Sequence, residues 1–116
     1  MPLRPNPVSG ALEQSDNLFL VGRRVTADTH LTQADQVVLV DAAARPVTVI
    51  LPRASAQKWR AFVIVKVDAA DHRVTIAGAG GSLVDGALSQ TINGQWNGIQ
   101  VWSDGTQWIT LPGGGA

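Results

Sequence analysis

The sequence has no cysteine and no tyrosine, only two phenylalanines, and a single glutamate, Glu13, among its nine acidic residues. The missing cysteines exclude disulfides and thiolate metal sites. The near-absence of glutamate argues against much helix, because Glu populates helices whereas Asp populates turns and caps. Charge is sparse as well: nine basic residues balance nine acidic ones, and only 16% of the chain is charged. That leaves no electrostatic footprint for nucleic acid or for an anionic membrane surface. No apolar run is long enough to span a bilayer. No apolar h-region follows Met1-Pro2, so the expectation is synthesis in the cytoplasm without membrane insertion.

What is present is β-rich. Apolar residues make up 45% of the 116 positions, enough for a modest core, and they are mostly Val, Ile, Leu and Ala. Ten of the twelve glycines lie at or beyond Gly78, which concentrates tight turns in the last third of the chain. Residues 1–17 read as a Pro-rich extended arm, because the prolines at 2, 5 and 7 forbid helix. Residues 18–111 read as one β-domain, and 112–116 as a flexible Gly-rich tail.

Within the domain, Leu18–Val21 reads as a strand closed by Gly22-Arg23-Arg24, and Val25 to Asp35 as connection. Gln36–Asp41 is a continuous β-branched run of the kind buried on both faces. Further strands are expected over Val47–Leu51, Trp59–Val67, Arg73–Ile76, Ser82–Val84 and Leu88–Ile92. In the second of these, Phe62, Ile64 and Lys66 alternate with Val63, Val65 and Val67. Arg53–Lys58 has room for hardly more than one helical turn. The pattern predicts an all-β fold of about eight short strands, a small antiparallel sandwich, barrel or β-prism. No internal repeat marks a solenoid.

The most informative stretch is Gly98 to Leu111, two apolar-rich runs around Asp104-Gly105. A two-residue type I′ turn there would set Val101 opposite Trp108 and put Trp102 and Ile109 on the other face. A half-buried ribbon needs only one apolar face. This one has a tryptophan on each, so its second face belongs between two layers of one domain or against another subunit.

Catalytic and metal chemistry find little support. Gly78-Ala-Gly-Gly-Ser lacks the Lys and the helix of a phosphate-binding loop. His30 and His72 fall in polar turns with no partnered nucleophile. Asp85 and Asp104 each precede glycine and read as turn formers, and Asp68 and Asp71 do not have the spacing of a calcium loop. The expectation is a non-enzyme without cofactor or metal. The four tryptophans read as core or subunit-interface anchors, with a carbohydrate platform as the second reading.

Taken in order, Asp35-Gln-Val-Val-Leu-Val-Asp-Ala, Val47-Thr-Val-Ile-Leu-Pro, Phe62-Val-Ile-Val-Lys-Val-Asp-Ala-Ala, Arg73-Val-Thr-Ile, Gly81-Ser-Leu-Val-Asp-Gly-Ala and Val101-Trp-Ser-Asp-Gly-Thr-Gln-Trp resemble small β-modules of tailed-bacteriophage virion proteins. The likeness runs from Asp35 to Ile109. The sequence departs from the usual pattern at Trp59, where a Gly-rich approach is common, and at Trp96, where a Tyr is common.

The resemblance implies a non-enzymatic, homotrimeric subunit at the virion surface, of capsid-decoration, cement or head-fibre type. Its implied partners are its own copies and another virion protein, such as the major capsid protein or a tail protein. A tail-fibre, receptor-binding or carbohydrate-binding module with a host-surface glycan as partner is the alternative. The candidate subunit-interface residues are Trp102, Ile109, Trp108 and Trp96. The candidate docking arm carries Leu3, Arg4, Pro5, Pro7 and Val8.

Overall fold

The structure, a computed structural model, describes residues 22–112. The expected N-terminal arm, the strand over Leu18–Val21 and the tail after residue 112 lie outside the described residues. Nine short strands are described: β1 Gly22–Val25, β2 Thr29–His30, β3 Val37–Val40, β4 Val47–Leu51, β5 Ala61–Lys66, β6 Val74–Gly78, β7 Ser89–Ile92, β8 Gly98–Ser103 and β9 Trp108–Pro112. Two single 3-10 turns, Ala54–Ala56 and Ala79–Gly81, complete the elements. The first of them falls where one helical turn is expected.

The strands form two facing sheets. One has five strands in the order β9-β8-β5-β3-β1, and the other has four in the order β2-β4-β6-β7. The architecture is all-β and sandwich-like, but the sheets are mixed rather than antiparallel. From β1 to β6 successive strands alternate between the sheets, and each new strand pairs parallel to the last one laid in its own sheet. The chain thus winds as a wide coil before closing with the antiparallel pairs β6–β7, β5–β8 and β8–β9. The coil is invisible as a repeat because its turns differ in length: Gly22 registers with Val37, and Val37 in turn with Val63. Unbroken valine runs suit parallel strands, and β3 is one.

Gly22–Val25 and Thr29–His30 are strands, not turn and connection. Only Val25 of β1 is buried, so neither segment shows the alternation that reveals a strand in sequence. Both are stabilised as edges by pairing to β3 and β4.

The core lies between the sheets. Val38, Val40, Phe62, Ile64, Val101 and Trp108 meet Val47, Val49, Leu51, Val74 and Ile76, and every one of them is at most 1% exposed. Phe62 and Trp108 stack with ring centroids 5.7 Å apart and planes tilted by 50°. The Trp108 Nε1–H donates to the Pro52 carbonyl at 2.9 Å, satisfying the one polar atom of the indole. Trp108 therefore belongs to the core and has no surface to offer a second subunit.

The closing hairpin corrects the expected register. Trp108 pairs with Ser103 and Ile109 with Trp102 across a four-residue loop, Asp104–Gln107. Asp104 organises that loop, its Oδ1 accepting from the amides of Thr106 and Gln107 at 2.8 and 2.9 Å. These donors hold the carboxyl below its usual value. The shift from the expected pairing is two residues, so the faces survive: Val101, Ser103 and Trp108 are inside, and Trp102 and Ile109 are outside. The type I′ geometry occurs at the other Asp-Gly, Asp85-Gly86, where φ is +52° and +77°. Val84 and Ala87 exchange backbone hydrogen bonds across it.

Candidate functional site

The outer faces of the two sheets differ in character. On the four-stranded sheet, Thr48, Thr75 and Thr91 register side by side. On the five-stranded sheet, one row runs Ile109–Trp102–Ala61 and the next joins Leu111, Gln100, Val63 and Val37. A third row sets Val65 beside Leu39, which leads to Arg24 at the edge. Val37, Leu39, Val63, Val65 and Trp102 are half-buried, Ile109 is 36% exposed and Leu111 46%. Among the described residues no third layer of strands lies over this face. The β3 run expected to be covered on both sides is covered on one.

The face is flattened at Gly98, where a Cβ would sit 2.8 Å from the Ile64 carbonyl oxygen and 2.9 Å from Val65 Cγ2. The charges lie at its β1 border. Arg24 Nη2 meets Asp41 Oδ2 at 2.9 Å, and Arg23 Nε meets the buried Asp35 at 3.1 Å. Each of the two adjacent arginines is thus paired with an aspartate while staying largely exposed. The amide of Ala43 and, after it, Arg24 hold the Asp41 carboxyl below its ordinary value.

Trp59 and Trp96 share an uncommon position. The Trp59 N–H donates to the Ser103 carbonyl at 2.6 Å and Ser103 N–H donates to Arg60 O at 3.0 Å. At the other end of the β5–β8 ladder, Trp96 N–H donates to Lys66 O at 2.7 Å and Lys66 N–H to Asn97 O at 2.9 Å. Each is a G1-type bulge, two residues opposite one, in which the first residue is left-handed and normally glycine. Here that residue is tryptophan, with φ of +64° at Trp59 and +67° at Trp96. Both indoles are exposed, at 71% and 65%. Lys58 Nζ lies 5.9 Å from the Trp59 ring centre. Trp59 and Trp96 are therefore structurally equivalent, one at each end of the β5–β8 ladder.

Of the four candidate interface residues, Trp102 and Ile109 are adjacent on the outer face, Trp96 stands at the far end of the ladder, and Trp108 is in the core. Leu3, Arg4, Pro5, Pro7 and Val8 lie outside the described residues. His72 Nδ1 sits 2.6 Å from the Ala42 carbonyl, tying two loops together. Among the described residues no three His, Asp or Glu side chains converge as a metal would need.

Sequence reasoning missed two features. Lys66 and Asp68 form an ion pair inside the sandwich, for which the signal was a lysine in the apolar alternation of β5. A cavity of about 300 Å³ opens between β7 of one sheet and β8 and β9 of the other, with Asn93 and Asn97 in its wall. Asn93-Gly94 reads from sequence only as the end of a strand.

No protein-family model matches the chain, and neither a curated protein nor a solved structure does.

Proposed function

We propose that the chain is a non-enzymatic structural subunit of a phage-like particle, assembled as a homotrimer and carried at the virion surface as a capsid decoration or head-fibre knob. The observation that carries this reading is the asymmetry of the two outer faces. A threonine row suits solvent, whereas the Val37, Val63, Val65, Trp102, Ile109 and Leu111 face exposes apolar surface that a second copy would cover. Burial stabilises at about 25 cal/mol per Å², and a closed ring of identical copies leaves no open apolar edge. The resemblance to virion β-modules supplies the setting and the stoichiometry. The Pro-rich segment with Leu3, Arg4, Pro5, Pro7 and Val8 is the docking arm toward another virion protein.

The test is the mass of the full chain in solution, by light scattering during size-exclusion chromatography. A trimer supports the reading, and a monomer at micromolar concentration counts against it. Removal of residues 1–10 should abolish attachment to the particle and leave the melting temperature of the β-domain unchanged.

A further inference from the structure

We propose that Asn93-Gly94 is a self-modification site: Asn93 closes to a succinimide and reopens as aspartate or isoaspartate, and Asn97 promotes the closure.

The chain has four dipeptides of Asp or Asn followed by Gly: Asp85-Gly86, Asn93-Gly94, Asn97-Gly98 and Asp104-Gly105. Glycine in second place leaves its amide nitrogen unscreened by a Cβ, within reach of the side chain before it. The structure separates the four. Asp85 Oδ1 accepts from Thr110 N–H at 2.9 Å, and its Oδ2 accepts from the Thr110 hydroxyl. Asp104 Oδ1 is held by the amides of Thr106 and Gln107. Asn97 donates its Nδ2–H to Asn93 O, and Gly98 is buried so tightly that a Cβ would sit 2.8 Å from the Ile64 carbonyl oxygen. Asn93-Gly94 alone is open. Both of its residues are exposed, and neither the Asn93 carboxamide nor the Gly94 N–H has a hydrogen-bond partner among the described residues.

The neighbouring asparagine prepares the nucleophile. When the Gly94 nitrogen loses its proton, the charge spreads onto the carbonyl oxygen of the same peptide unit, which is Asn93 O. Asn97 Nδ2–H donates to that oxygen at 2.5 Å, and a donor on the charged form favours it. The donor is kept in place because the loop is fixed beside it: Gln95 Nε2–H donates to Val67 O at 3.1 Å and Trp96 N–H to Lys66 O at 2.7 Å.

The reaction needs only water and a solvent base. The base takes the Gly94 amide proton, and the nitrogen attacks Asn93 Cγ. A C–N bond forms there, the bond from Cγ to the side-chain nitrogen breaks, and ammonia leaves with a proton from solvent. Water then opens the five-membered ring at either carbonyl, giving aspartate or isoaspartate, with no change of oxidation state. Asn93 stands in the wall of the groove between β7 and β8–β9, whose other lining side chains are all uncharged. The product therefore sets a carboxylate there, and adds one negative charge to a chain whose formal net charge is zero.

The experiment incubates the full chain in mildly alkaline buffer, folded and in urea. Samples over time are read by isoelectric focusing and by peptide mapping with enzymatic methylation of isoaspartate. In the folded chain an acidic band should grow, with isoaspartate confined to residue 93. Asn93 should convert at least as fast folded as unfolded. Asn97 should convert in urea but about ten-fold or more slowly in the folded chain, where it must wait for local opening. Asn93→Gln should abolish the acidic band. Asn97→Ala should slow conversion at Asn93, whereas a residue that merely stiffens the loop would speed it when removed. The proposal is overturned if folded Asn93 is stable, if it is protected by folding as strongly as Asn97, or if N93Q keeps the acidic band. Faster conversion in N97A overturns the role of Asn97, and if N97A fails to fold, the folded-to-unfolded rate ratio at Asn93 decides that role instead.

Discussion

Lys66 Nζ lies 2.6 Å from Asp68 Oδ2, and both side chains are at most 5% exposed. The ammonium also donates to the carbonyls of Asp68 and Ala70, at 3.2 and 2.8 Å. The carboxylate accepts from Ala42 N–H at 2.7 Å and Ala70 N–H at 3.0 Å. The pair thereby fastens the turn after β5 to the turn after β3, where the chain crosses between sheets. Burial alone would push the Asp68 carboxyl up, but the Lys66 ammonium and the two amides outweigh it and hold the group below its ordinary value of 3.8.

Removing either partner leaves the other charged and buried. Lys66→Ala or Asp68→Ala should therefore cost about 3–5 kcal/mol, read as a large fall in the urea midpoint. A carboxyl whose folded value is depressed contributes stability that is complete above its unfolded value and disappears as pH falls through the lower folded one. Asp68, Asp41 and Asp104 are all shifted this way. The urea midpoint should accordingly stay level from neutral pH down to about 5 and fall below about 4, and Asp68→Asn should flatten part of that fall.

Trp108 anchors the hairpin to the opposite side of the core through Phe62 and Pro52. Trp108→Ala should destabilise by about 3–5 kcal/mol. Trp108→Phe keeps most of the packing but leaves the Pro52 carbonyl without its donor, for a loss of about 1–3 kcal/mol. Thermal denaturation of the two variants separates the packing contribution from that of the hydrogen bond.

Trp59 holds the glycine position of its bulge at φ +64°. Trp59→Gly relieves strain of about 1–3 kcal/mol and gives back roughly 0.4–1 kcal/mol through the looser unfolded chain. The expected outcome is a melting temperature equal to wild type or higher. A loss above about 1 kcal/mol would show instead that the Lys58–Trp59 contact holds the bulge, the exposed cation–π range being about 0.5–1 kcal/mol.

On the outer face, Trp102→Ala and Ile109→Ala should weaken self-association. Burying one large apolar side chain is worth about 1.5–3 kcal/mol, so each loss corresponds to a ten- to hundred-fold rise in dissociation constant, roughly. Val63→Asp, which sets a charge in the middle of the face, should give monomers in sedimentation velocity. A Thr48→Asp control on the other sheet should leave the mass unchanged.

Much of this molecule is legible one strand at a time. The alternation of Phe62, Ile64 and Lys66 with Val63 and Val65 identifies the inner face of β5, and the same logic sorts Trp102 and Ile109 from Trp108. It works even with the wrong loop length, because a register error of two residues preserves sidedness. The Asp-Gly turns are likewise visible, though which of them is type I′ is decided by surroundings: at Asp104 the side chain captures the amides of Thr106 and Gln107 and opens the loop to four residues.

What the sequence by itself determined is local: an all-β chain, the places where it turns, and the residues that face inward, because side-chain period and turn chemistry act over a few neighbours. The tertiary structure alone decided the parallel winding of β1 to β6, the edge strands that lack any alternation, and the meeting of Lys66 with Asp68 and Ala42. It also decided the equivalence of Trp59 and Trp96. Each of these depends on which distant backbone comes to lie alongside, and pairing partners leave no periodic trace in a chain whose coils differ in length.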